Sequence, residues 1–190
     1  MLEQILHFLL DTIFSFFVFL LLARFFLQLL RAPFRNPLAR FVVALTNWLV
    51  LPVRRVIPGL FGLDLASFVL AWLIEVLLLF LLHLLRGGTL QVGSGVVFVV
   101  LFSLALLELA RFSLYLLIGV ILVQAVLSWI NPYTPLAPLF NALSAPFLRP
   151  FQRVVPPIAN IDLSPLLALV AAQVLLIALE YLARSLALLF

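Results

Sequence analysis

Long apolar runs alternate with short, proline-rich polar segments along this chain of 190 residues. The first run passes Thr12 and reaches Leu30 with Arg24 inside it, Leu65 to Leu82 is broken only by Glu75, and Phe112 to Ile130 and Leu163 to Leu179 carry no charge. A helix of roughly 20 mostly apolar residues crosses about 30 Å of hydrocarbon. The pattern therefore predicts an all-α, polytopic membrane protein with four transmembrane helices, over about 12–30, 64–85, 109–130 and 163–184. The first run reads as a span and not as a cleavable signal: it opens with Glu3 and Asp11 in place of basic residues, and it has no small-residue cleavage site. All twelve prolines fall between Pro33 and Pro58 or between Pro132 and Pro165. Proline fixes φ and lacks a donor, so these clusters mark where helices stop. Asn131-Pro132 reads as a helix-ending pair, with Asn36-Pro37 as its shifted counterpart. Asp64 suits a helix N-cap, and Asp162 or Ser164 suits the last one, the latter with Pro165 at the first helical position.

The polar segments repeat. PVRRVIPGLFGLD (52–64) and PFQRVVPPIANID (150–162) lie 98 positions apart, and the same shift aligns Pro52 with Pro150, Arg55 with Arg153, Pro58 with Pro156 and Asp64 with Asp162. It also sets Pro37 against Pro135 and Glu75 against Gln173. Self-similarity at this length indicates a duplicated structural unit. The expected organisation is a first hairpin over 1–86, a glycine-rich link over 87–95 and a second hairpin over 96–190. Because each unit crosses twice, the two are parallel repeats, and both connectors share one face of the membrane. Within each connector, Leu38 to Leu49 and Leu136 to Phe147 are too short to span. They read as amphipathic helices lying in the interface, in preference to re-entrant dips that would need protein cover.

Composition agrees with a membrane protein: 67% of residues are hydrophobic and 9% charged, against about half and about a quarter in soluble domains. Cysteine is absent, which excludes a disulfide framework, thiolate chemistry and thiolate metal sites. All of the net +4 comes from arginine, and its placement bears on orientation. The connectors hold Arg31, Arg35, Arg40, Arg54, Arg55, Arg149 and Arg153, while the opposite end sets Glu3, Asp11, Glu108 and Glu180 against Arg86, Arg111 and Arg184. The positive-inside rule then places connectors 31–63 and 131–162 in the cytoplasm and both termini outside, in a bacterial inner membrane.

Two constellations carry candidate chemistry. Arg55 stands nine residues before Asp64, as Arg153 does before Asp162, with prolines limiting the path between them. One reading is a pair of structural clasps; the other is a symmetric site for lipid phosphates or a partner's acidic groups. The second constellation is intramembrane. Glu75 and Arg24 lie at depths that let an extended arginine reach the carboxylate, forming either a buried interhelix pair or part of a cation or proton site. In the second unit Gln173 and Gln124 take nearly the same positions, so an amide pair stands in for an ionic one.

The stretch SWINPYTPLAPLFNALSAPFLRPFQRVVPPIANIDLSP (128–165) closely resembles the YggT family of small bacterial membrane proteins, called YlmG in Gram-positive bacteria and plastids. The first unit is a more divergent copy, with APFRNPLARF where the second has NPYTPLAPLF, and it keeps PVRRVIP and the following GLD. The resemblance implies an integral membrane protein. Relatives have been linked to osmotic-stress tolerance, to the neighbourhood of division proteins, and in plastids to nucleoid distribution or cytochrome assembly; it implies no catalytic residue.

No enzyme emerges from the motifs. GGTLQVGSG (87–95) lacks the lysine and Ser/Thr of a phosphate loop and has no strand before it. The stripes Glu3, His7, Asp11 and Glu180, Arg184, together with the single His83, read as solvated helix ends, with no metal site or cofactor expected. Two functions follow. The first is a non-enzymatic scaffold or assembly factor whose connectors dock partner proteins or anionic lipid. The second is a transport-related protein moving or regulating an ion in osmotic stress through Glu75 and Arg24. Expected partners are membrane lipids, membrane proteins or further copies of the chain, without direct nucleic-acid binding.

Overall fold

Six α-helices make up the computed structural model, which describes residues 1–33, 36–57, 59, 63–85, 95–131, 133–154 and 162–187. They are α1 (Leu2–Leu29), α2 (Pro37–Arg54), α3 (Leu65–Leu85), α4 (Val96–Ile130), α5 (Ala137–Val154) and α6 (Ser164–Ala187). The protein is all-α, and no strand occurs among the described residues. Helices α1, α3, α4 and α6 are long and apolar enough to cross a membrane. The order long apolar helix, amphipathic helix, apolar helix thus occurs in α1–α3 and again in α4–α6.

Helices α1 and α4 extend N-terminally beyond the spans expected within them (12–30 and 109–130). Nothing between Leu2 and Thr12, or between Val96 and Glu108, breaks a helix, and both segments simply continue the following one. At 1.5 Å per residue α4 measures roughly 52 Å, well beyond the hydrocarbon thickness of about 30 Å. Of the glycine-rich link (87–95) only Gly95, at the start of α4, is among the described residues, and 155–161 of the second connector lie outside them.

The connector helices are longer than the amphipathic segments suggested, because α2 runs through Pro52 to Arg54 and α5 through Pro146 and Pro150 to Val154. These prolines do not stop their helices. All three lie on exposed faces, so the carbonyls they leave without an intrahelical donor are not sealed in the core. Asn36-Pro37 is a second correction. It begins a helix: Asn36 Oδ1 accepts the Ala39 N–H at 2.8 Å, and Pro37 occupies the first turn, where a missing donor costs nothing. Asn131 does end α4, in an extended conformation. Helix α1 closes with a Schellman turn. Ala32 N–H reaches Leu27 O at 2.9 Å, Arg31 N–H reaches Gln28 O at 3.1 Å, and Arg31 takes φ of 50°, where glycine is usual.

Helix α3 runs back along α1, and α6 along α4. Ala66, Ser67 and Ala71 are fully buried, and small residues of this kind let helices approach closely in lipid, where apolar burial alone gives no drive. One apolar cluster joins both halves, drawing Val18, Leu21 and Leu22 from α1, Leu109, Leu116 and Val120 from α4, and Leu139 and Leu143 from α5. A smaller cluster of Ile121, Leu148 and Ala168 attaches α6. The outer faces expose Leu, Phe and Val throughout, as lipid contact requires.

Candidate functional site

At the connector end, α1, α2 and α3 converge on one carboxylate. Asp64 precedes the first turn of α3, and its side chain is 1% exposed. Ser67 donates to it twice, through Oγ to Oδ2 at 2.7 Å and through the backbone N–H to Oδ1 at 3.4 Å, so Asp64 acts as N-cap. Two arginines close on the same group. Arg24 of α1 donates Nε to Oδ2 at 3.1 Å, while Arg54 at the end of α2 donates Nη2 to Oδ2 at 2.7 Å and Nε to Oδ1 at 3.2 Å. The remaining reach of Arg24 goes to α2: Nη1 donates to Thr46 Oγ1 and to Asn47 Oδ1, each at 2.9 Å. Arg54 Nη2 also donates to Gln28 Oε1 at 3.2 Å. Burial pushes the Asp64 carboxyl up, but the hydrogen bonds from Arg54 and Ser67 and the charges of Arg54 and Arg24 outweigh it. The net result lies below the usual carboxylate range.

This geometry corrects the expected pairings. Arg24 does not meet Glu75; it binds Asp64, because antiparallel packing sets the end of α1 beside the start of α3, and Glu75 lies ten residues further along, roughly 15 Å. Nor is Arg55 the clasp. Thr46, Asn47, Val50 and Arg54 recur at helical spacing on the face that α2 turns inward, and the next residue, about 100° further round, is exposed. The second half repeats that one-residue shift: Gln152 Nε2 donates to Asp162 Oδ2 at 3.0 Å, and Arg153 is exposed. Asp162 Oδ1 accepts the Ser164 N–H at 2.8 Å; burial pushes its carboxyl up, and the bonds from Ser164 and Gln152 bring it below its ordinary value. Gln124 pairs with Asn141 and not with Gln173, which faces outward from α6.

A second polar region lies at the opposite end of the bundle. A cleft of about 480 Å³ opens between α1, α3 and α4, lined by His7 and Asp11 from α1, Glu75 from α3, and Glu108, Arg111 and Tyr115 from α4. Arg111 Nη1 donates to Glu108 Oε1 at 2.7 Å. Glu75 is 3% exposed, and its Oε2 has no hydrogen-bond partner among the described residues.

With the two polar regions in place, the chain can be set beside known proteins. The CCB3/YggT family profile matches residues 3–85 and 103–183, ranges that contain Arg24, Asp64 and Glu75 in one and Gln152 and Asp162 in the other. The chain belongs to the CCB3/YggT family. An uncharacterized protein of Pseudomonas aeruginosa is 37% identical over 170 residues, 88% of this chain and 84% of that protein. A Vibrio alginolyticus protein from the proC 3' region is 32% identical over 170 residues, 88% of this chain and 89% of its own. The uncharacterized protein YggT of Escherichia coli K12 is 31% identical over 172 residues, 90% of this chain and 86% of its own. No solved structure matches the chain. For this YggT-family member the four apolar helices therefore coincide with membership of a bacterial membrane-protein family.

The sequence pattern counts Arg54 among the basic connector residues but gives Arg54, Thr46, Asn47 and Ser67 no place in a site. The signal that locates three of them is the spacing 46, 47, 50, 54 on α2, which phases a helix only once the helix is known to continue past Pro52. Around Asp162 the arrangement is looser. Gln124, Asn141, Ser144, Arg149, Gln152 and Asp162 line a crevice of about 140 Å³. By the 98-residue register the position of Arg24 is taken there by Leu122, and among the described residues no arginine pairs with Asp162, although Arg149 lines the crevice.

Proposed function

We propose that the chain is a multi-pass inner-membrane scaffold or assembly factor, non-enzymatic, whose α2 and α5 form a basic docking surface in the cytoplasm. Its occupants are acidic segments of partner proteins, with anionic lipid headgroups around them. The observation that carries this reading is the division of labour among the arginines at the connector end. Arg24 and Arg54 are consumed in holding α2 to α1 and α3, whereas Arg40, Arg55, Arg149 and Arg153 are exposed. Trp48, Trp129 and Tyr133 are exposed at the same end, where aromatic rings favour the headgroup level. Exposed guanidinium groups above a braced helix suit carboxylate and phosphate recognition, because little flexibility remains to be lost on binding. The arginine-rich end faces the cytoplasm by the positive-inside rule, and the duplicated unit supplies the surface twice, which supports the parallel-repeat organisation. The transport-related alternative loses its pair, since Arg24 belongs to the connector network.

The test is site-specific photo-crosslinking in cells from positions 41 and 154, exposed residues next to Arg40 and Arg153. The expected result is a discrete protein adduct that disappears when Arg55 and Arg153 are both changed to Glu. Adducts with lipid alone, or a protein adduct indifferent to that charge reversal, would overturn the proposal.

A further inference from the structure

The connector network accounts for Arg24, Arg54 and Asp64, but it leaves Glu75 unexplained. Helix α3 is the most enclosed of the four apolar helices, with 39% of an 18-residue apolar stretch buried against 17–22% for the others. Glu75 lies midway along it, roughly 15 Å from either end, in the middle of a hydrocarbon layer about 30 Å thick. An ionised carboxylate there, without a counter-charge, is costly enough that the group is expected to take up a proton or a cation.

The surroundings decide how that charge is met. From α1 the cleft receives His7, Asp11 and Ser15, and from α4 it receives Glu108, Arg111 and Tyr115. Arg111 already donates to Glu108 at 2.7 Å. On the connector side, Val18, Leu21, Leu22 and Ala71 are fully buried and form a dry layer. Beyond that layer Arg24 and Arg54 are committed to Asp64. Helix α2 therefore sends no charge to Glu75, and the opening of the cleft lies towards the termini, where Asp11 is roughly 27 Å along α1 from Leu29.

We infer that Glu75 is a reversible proton-binding site at the middle of the membrane, reached by water only from the terminal end through the cleft lined by Asp11, Glu108 and Arg111. The proton binds one oxygen of the carboxylate and leaves by the same path, so the bound form is the neutral acid and the empty form the anion. Apolar packing below Glu75 closes the route to the connectors, which makes this a one-sided site and not a through-going channel in the described conformation. The site is independent of the docking surface: it lies on the far side of the dry layer and shares no residue with it.

The experiment uses the intact wild-type protein in vesicles of phosphatidylethanolamine and phosphatidylglycerol, oriented uniformly. Dicyclohexylcarbodiimide, which reacts with protonated carboxyls in apolar surroundings, is added over a pH series, and adducts are mapped by mass spectrometry. Glu75 should carry the label, and above its midpoint labelling should fall about ten-fold per pH unit, as single-proton titration requires. With different pH inside and outside, labelling should follow the compartment of the termini. Absence of a Glu75 adduct at every pH, labelling indifferent to pH, or labelling that follows the connector side would each overturn the inference. Because the wild-type chain supplies the readout, a folding defect in a variant does not enter the result.

Discussion

Replacing Asp64 by Asn exchanges one carboxylate oxygen for an NH2 group and removes a single charge, yet three helices lose the anion they share. In the wild-type protein Asp64 meets Arg24 at 3.1 Å, Arg54 at 2.7 Å and Ser67 Oγ at 2.7 Å. The two arginines do not suffer equally. The Arg54 side chain is 37% exposed and regains water, so its share of the loss is at most about 1 kcal/mol. Arg24 is 5% exposed, and after the substitution its guanidinium has only neutral acceptors, on Thr46, Asn47 and the remaining amide oxygen at position 64. Leaving a buried charge without its partner costs about 3–5 kcal/mol, a large part of a total stability of about 5–15 kcal/mol. The assay is reversible unfolding in mixed micelles, followed by tryptophan fluorescence. Asp64→Asn combined with Arg24→Met removes both charges and should recover at least half of the loss. An Asp64→Asn protein within about 1 kcal/mol of wild type would refute the reasoning, because the pair would then behave as an exposed one.

Four further outcomes follow from the same contacts. The folded-state pKa of Asp64 is depressed, so its contribution to stability is complete above the unfolded value of about 3.9 and is lost as pH falls from there through the folded value; acid unfolding curves should show this loss, and Asp64→Asn should abolish it. Gln152→Arg should give Asp162 the ionic partner that Arg54 gives Asp64 and raise the unfolding midpoint by the equivalent of about 0.5–1 kcal/mol. Arg31→Gly relieves a left-handed residue with φ of 50° in the turn after α1 and should stabilise by about 1 kcal/mol in the same assay. Ser67→Ala removes the hydroxyl donor to Asp64 and should cost about 1 kcal/mol, with Ser67→Thr costing less if the hydroxyl is what matters.

Much of the architecture was legible because lipid imposes a strong pattern. Four apolar runs became four helices, and Asp64 became an N-cap, since a carboxylate at the start of a helix satisfies donors that nothing else can reach. What the sequence left open was rotation about the helix axes. Arg54 and Arg55 are neighbours in the chain but differ by about 100° in direction, and which of them faces Asp64 depends on the phase of α2. Proline misled in the same region. Pro52, Pro146 and Pro150 sit inside helices whose exposed faces tolerate a missing bond, so the helix ends could not be placed by proline alone. Depth misled for Arg24. Counting residues placed it within reach of Glu75, whereas a closer acceptor lay across the antiparallel contact.

The docking account requires both basic helices to share one compartment, and the chain offers a clean means of asking, since it contains no cysteine. Single cysteines at positions 55 and 153, both exposed, can be labelled with a membrane-impermeant maleimide in intact cells and in inverted vesicles. The account predicts that both react in inverted vesicles and neither in intact cells. Reaction of one from each side, or of both from outside, would contradict it.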